Sequence, residues 1–155
     1  MSDEVTVDAL RFEQMVRRGL DSEDPEHSAK LCQAALALIK DTPVGNGTGR
    51  FGWWASLFEA RIGRLAIKSA ARLAELAQCG EVDLESARWG IERARLAAAD
   101  EELHRVAMRL EAWAGDDERV QREWEIACAQ AEALDPGGMP SGATEAVYVA
   151  VGTRR

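Results

Sequence analysis

Apolar residues recur along this chain at spacings of three and four, and acids, glycines and prolines interrupt the pattern. That period describes one face of an amphipathic α-helix, and it predicts six helical stretches. The first spans about residues 7–20, with Leu10, Met15 and Val16 among its apolar positions. The second opens at Asp24-Pro25-Glu26, which supplies an N-cap acid, a proline at the first helical position and a further acid in the first turn. It runs through Ala29, Leu31, Ala35, Leu38 and Ile39 and stops before Pro43. The segment TPVGNGTGRFG that follows reads as an irregular loop.

A longer helix is predicted over about residues 53–78. Its apolar positions, among them Trp54, Leu57, Phe58, Ile62, Leu65, Ala66, Leu73 and Leu76, cover a broad face, as a helix packed on two sides requires. Gly80 ends it. Asp83 caps a fourth helix carrying Leu84, Ala87, Ile91 and Ala94 on one face. Asp100-Glu101-Glu102 opens a fifth, through Leu103, Val106, Leu110 and Trp113 to Gly115. Asp116-Asp117-Glu118 opens a sixth, through Val120, Trp124, Ala127, Cys128 and Leu134. A short tail helix at about residues 142–151 completes the set.

Leu84 and Asp117 lie about one tetratricopeptide period apart, on the order of 34 residues. The expected fold is therefore all-α, a tetratricopeptide-like right-handed stack of antiparallel helix pairs with six to seven helices in one domain, residues 1–155. The pairs fall at about residues 7–41, 53–99 and 101–134. Arrays of this kind bury one core by stacking neighbours.

Composition narrows the function. The formal net charge is -8, the wrong sign for a free nucleic-acid binder or for docking on anionic lipid. Cys32, Cys79 and Cys128 stand far apart with no CxxC, so neither a zinc site nor a disulfide framework is expected. The opening MSDEVTVDAL carries acids where a signal peptide carries basic residues, and no apolar run is long enough for a membrane span. A soluble, cytoplasmic protein is expected.

The glycines Gly45, Gly47 and Gly49 could suggest a phosphate loop, but no strand precedes them and Lys40 stands before rather than after. His27 and His104 lie in the first turns of different helices without a recognisable ligand set, and a His104–Cys128 nucleophilic pair is outweighed by capping and core roles. The acid clusters at helix starts are explained by the macrodipole. Arg61, Arg64, Lys68 and Arg72 are stronger candidates, because steps of three and four align them on the third helix. Either the stripe lines a groove that receives an acidic peptide, or its residues pair with neighbouring acids and are solvated. Trp89 lies off the Leu84–Ile91 face and marks an interface or a second packing neighbour. Trp53 and Trp54 are similarly open, with Trp54 assigned to the core, and Trp113 and Trp124 are placed on core faces. No catalytic, cofactor or metal residue is expected.

The segments VDALRFEQMVRRG, SAKLCQAALALIKDTPV and AAADEELHRVAMRLEAWAGDDERVQREWEIACAQAEALDPGGMPSGATEAVYVAV resemble the bacterial transcriptional activator domain, the helical domain of Streptomyces antibiotic regulatory protein type regulators. The resemblance extends over about residues 5–151 and consists of structural positions, with no catalytic motif. It implies a regulatory domain that dimerises or contacts partner proteins and usually follows a winged-helix DNA-binding domain. The chain departs from the pattern in lacking any winged-helix segment, in its glycine-rich loop and in Trp124 where Tyr is commoner. Direct DNA contact by these residues is therefore not expected, and the chain is expected to be one domain of a longer protein. The alternative is a stand-alone tetratricopeptide-type adaptor for an acidic peptide or partner protein. An enzyme would need an accessible, low-pKa thiol.

Overall fold

The computed structural model describes the backbone of residues 3–40 and 52–152, and the side chains of residues 9–40 and 57–152. Among the described residues the chain forms seven α-helices and no strand: α1 (Asp3–Leu20), α2 (Pro25–Ala37), α3 (Gly52–Gln78), α4 (Leu84–Ala97), α5 (Glu101–Ala114), α6 (Asp117–Leu134) and α7 (Gly142–Gly152). The expected all-helical class is what the structure contains. The expected loop glycines Gly45, Gly47 and Gly49 lie outside the described residues, as do the side chains of Trp53 and Trp54. The first helix begins at Asp3, earlier than the expected start near residue 7.

The helix starts are set by side chains. Asp24, Asp83, Asp100 and Asp116 each accept a hydrogen bond from a backbone N–H in the first turn of α2, α4, α5 and α6, at 2.7–3.1 Å. A cap of this kind is worth about 1 kcal/mol. At the other end, Gly80 and Gly115 adopt φ of 80° and 77°, a conformation costly for any residue with a Cβ. There Glu81 N–H returns to Leu76 O and Asp116 N–H to Glu111 O, closing α3 and α5.

The chain divides into two compact units, residues 1–99 and 100–155. In the first, α1 packs on α2, and α3 packs on α1, α2 and α4. Its core is Phe12, Val16, Cys32, Leu36, Ile62, Ala66, Leu73, Leu76 and Ile91, all buried. Each large apolar side chain of this group contributes about 1.5–3 kcal/mol by leaving water. The α3–α4 approach is governed by Gly90, where a Cβ would stand 2.7 Å from Leu73 Cδ1 and 3.5 Å from Leu36 Cδ1. Two hydroxyls are buried without loss: Ser28 Oγ donates to Gly19 O at 2.7 Å, and Ser69 Oγ donates to Leu65 O at 3.0 Å.

In the second unit α5 packs on both α6 and α7. Leu103, Val106, Ala107, Met108, Leu110, Val120 and Ala127 form its core. Several expected core positions are open to solvent instead. Trp113 is 51% exposed, because it sits at the edge of the buried arc of α5 and in its last turn, where packing neighbours run out. Leu134 closes α6 and is exposed for the same terminal reason, while Leu10 and Leu57 fall outside the buried arcs of α1 and α3. Trp124 is half-buried and stacks on Tyr148 of α7, ring centroids 4.6 Å apart.

Gly90→Val forces its branched side chain into the space of a fully buried leucine. It is expected to destabilise the chain by about 1–3 kcal/mol, read as a lower urea midpoint with an unchanged slope.

Candidate functional site

The four residues of the cationic stripe all lie on α3, but they are not equivalent. Arg61 Nη2 pairs with Glu13 Oε2 of α1 at 2.6 Å and remains half exposed. Arg72 turns inward: its Nε donates to Ser28 Oγ at 3.2 Å, and its Nη1 lies 3.3 Å from Glu75. Arg64 and Lys68 between them are exposed. Arg72 therefore belongs to the junction of α1, α2 and α3, and the solvent-facing charge is carried by Arg61, Arg64 and Lys68.

Trp89 does not share that face. It lines an open groove of about 600 Å³ between α2 and α4, together with Lys30, Gln33, Ala34, Ala37, Asp83, Glu85 and Ser86. The Arg93 guanidinium lies over its ring, with Cζ 5.7 Å from the ring centroid. The same guanidinium donates to Ile39 O at 3.1 Å, just past the end of α2. Arg93 thus links α4 to the residues just past the end of α2, and the indole is half-buried. An open groove lined by an indole, two alanines and side chains of both charges can take a side chain or helix edge from a partner.

The three cysteines are all free, and Cys79 is exposed just past the end of α3. Cys32 is fully buried, and burial pushes its thiol up, with Ser69 and Arg72 pulling weakly the other way. Burial, and then Glu125, pushes the Cys128 thiol up as well. His104 is buried, but its ring nitrogens address other groups: Nδ1 lies 3.0 Å from Glu123 Oε2 and Nε2 3.0 Å from Gln130 Oε1. It thereby ties α5 to α6. His27 is exposed in the first turn of α2. Among the described residues no three His, Cys, Asp or Glu side chains gather as metal ligands, and no helix is long and apolar enough to cross a membrane.

One polar cluster was not legible in the chain. Glu101 of α5 accepts from Ser141 N–H, from Ser141 Oγ and, at 2.6 Å, from Thr144 Oγ1. Arg105 Nη1 donates to the same Thr144 oxygen at 2.9 Å and also pairs with Glu102. Thr144 is fully buried by these partners. Read locally, Glu101 is an ordinary first-turn acid, and only the Ser141-x-x-Thr144 spacing at the start of α7 hints at a capping role.

Comparison with family models, with curated proteins and with solved structures finds no match for this chain in any of the three.

The hydroxyls of Ser141 and Thr144 hold the Glu101 carboxyl below its usual value of 4.5. A carboxylate with a depressed folded-state pKa stabilises the fold above its unfolded pKa and loses that contribution as pH falls through the folded value. The stability difference between wild type and Glu101→Gln is therefore expected to be constant near neutrality and to shrink progressively below about pH 4.5. Paired thermal melts between pH 7 and pH 3 measure it; a difference independent of pH would remove Glu101 as the anchor of α7.

Proposed function

We propose that this chain is a non-catalytic protein–protein interaction and dimerisation module, a cytoplasmic regulatory domain of a bacterial transcription regulator. Its helix hairpins, α1–α2, α3–α4 and α5–α6, are read as tetratricopeptide-like pairs. The resemblance of residues 5–151 to the bacterial transcriptional activator domain supports the regulatory context. The observation that carries the interaction reading is the α2–α4 groove. A half-buried tryptophan lining that groove, with the Arg93 guanidinium over its ring, supports a partner-binding role.

A second reading, an adaptor for an acidic partner without a link to transcription, is favoured by the open cations Arg64 and Lys68 on α3.

Light scattering coupled to gel filtration, over roughly a tenfold concentration range, tests the first reading. A concentration-dependent dimer is expected, and Trp89→Ala is expected to raise its dissociation constant at least about tenfold, as truncation of a central tryptophan does. A monomer at every concentration would rule out dimerisation.

A further inference from the structure

Arg61 and Arg72 of α3 reach Glu13 and Glu75, but Arg64 and Lys68 between them are set apart from the acids that pair with several cations elsewhere in the chain. Lys30 pairs with Glu26, Arg88 with Glu85, Arg95 with Glu92 and Arg119 with Asp116, each three or four residues away on or next to the same helix. Between Glu59 and Glu75, by contrast, stand Arg61, Arg64, Lys68 and Arg72 and no acid at all. Neither Arg64 nor Lys68 has an acid three or four residues away in either direction, so their own helix cannot neutralise them. Instead each faces another cation at that spacing, which destabilises the helix. In a chain of net charge -8 this is a local reversal of sign.

The neighbouring helix extends the pattern. Glu13 pairs with Arg61, and Gly19 O is linked through Ser28 to Arg72, so α1 and α3 run in the same direction. Arg17, one turn past Glu13 on the same side of α1, is a further exposed cation. One turn before the Glu13–Arg61 pair, Leu10 and Leu57 are 57% and 59% exposed. The face therefore has an apolar end and a cationic end.

We infer that this α1–α3 face docks an acidic amphipathic helix of a partner protein, with apolar side chains on Leu10 and Leu57 and carboxylates on Arg17, Arg64 and Lys68. The inference rests on the interaction-module reading and names the chemistry of one partner, on a face separate from the Trp89 groove. Carboxylates relieve the repulsion along α3 and give specificity, while the leucines supply burial that ion pairs at a surface do not. Nucleic acid fits less well: it offers nothing to the apolar end, and the whole chain repels a polyanion.

The test uses the full chain against a displayed library of short helical peptides randomised on one face, with a short DNA duplex as a separate arm. The expected consensus carries Asp or Glu at spacings of three and four with apolar residues at one end. Binding should fall at least about tenfold in Arg64→Glu/Lys68→Glu and more modestly in Arg64→Gln/Lys68→Gln, but not in Arg122→Glu on α6. An enriched acidic peptide should also raise the melting temperature, because it binds the folded chain alone. Circular dichroism checks that the variants, altered only at exposed positions, stay helical. Neutral or basic consensus peptides, no enrichment, binding indifferent to the double reversal, or equal loss in Arg122→Glu each overturn the inference. So does a duplex that binds through Arg64 and Lys68 more tightly than the peptides. A light-scattering dimer combined with any of these results leaves the interaction module standing and removes only the acidic partner.

Discussion

How closely α4 can approach α3 decides the rest of the first unit. Leu73 occupies the space that a side chain at position 90 would need, and Leu36 of α2 closes over the same point. A residue without a Cβ there lets three helices share one leucine-filled node, at native packing density. With α1, α2 and α4 drawn in, the arc of α3 from Ile62 through Ala66, Ala70 and Leu73 to Ala77 is consumed by packing. What remains in solvent on the described part of α3 is Leu57, Ala60, Arg61, Arg64, Lys68, Glu75 and Gln78. The cationic stripe is thus a consequence of core geometry: Arg61, Arg64 and Lys68 occupy positions that packing leaves uncovered.

The second unit is assembled by different means. Among the residues of α7 only Thr144 is buried, although the helix is dominated by alanine and valine. Its attachment to α5 runs through the Glu101 carboxylate, the Ser141 and Thr144 hydroxyls and Arg105. Farther along, the Trp124–Tyr148 stack holds it to α6, where the Tyr148 hydroxyl donates to Gln121. Charge-assisted bonds to a carboxylate are directional and shorter than neutral ones, so they fix register better than contacts between alanines would. His104, placed between Glu123 and Gln130, serves the α5–α6 seam in the same way.

Helix identity and helix ends were legible because both depend on neighbours in sequence. Asp24, Asp83, Asp100 and Asp116 cap where their positions imply, and Gly80 and Gly115 terminate α3 and α5 with positive φ. Burial was legible only toward the middle of each helix. Trp113, Leu57 and Leu134 obey the apolar period yet lie at arc edges or helix ends, where the period says nothing about whether a neighbour exists. The α3 stripe could be placed on one helix from spacing, but its division could not. Arg72 differs from Lys68 because Ser28, 44 residues away in the chain, comes within reach of its guanidinium. The Glu101–Thr144 bond, across 43 residues, was hidden for the same reason. Pair geometry between distant segments leaves no periodic trace.

Screening, rather than the sign of the whole chain, decides which partner the α1–α3 face can take. At ordinary ionic strength a surface charge is felt over about 8–10 Å. Within that distance Arg17, Arg64 and Lys68 count for more than the net charge of -8 carried by the chain as a whole, since no acid on α3 stands between Glu59 and Glu75. A partner is therefore oriented onto this face by acids concentrated on one short segment, and its overall charge matters less. Acids spread evenly over a protein surface would bring few carboxylates within reach of the strip.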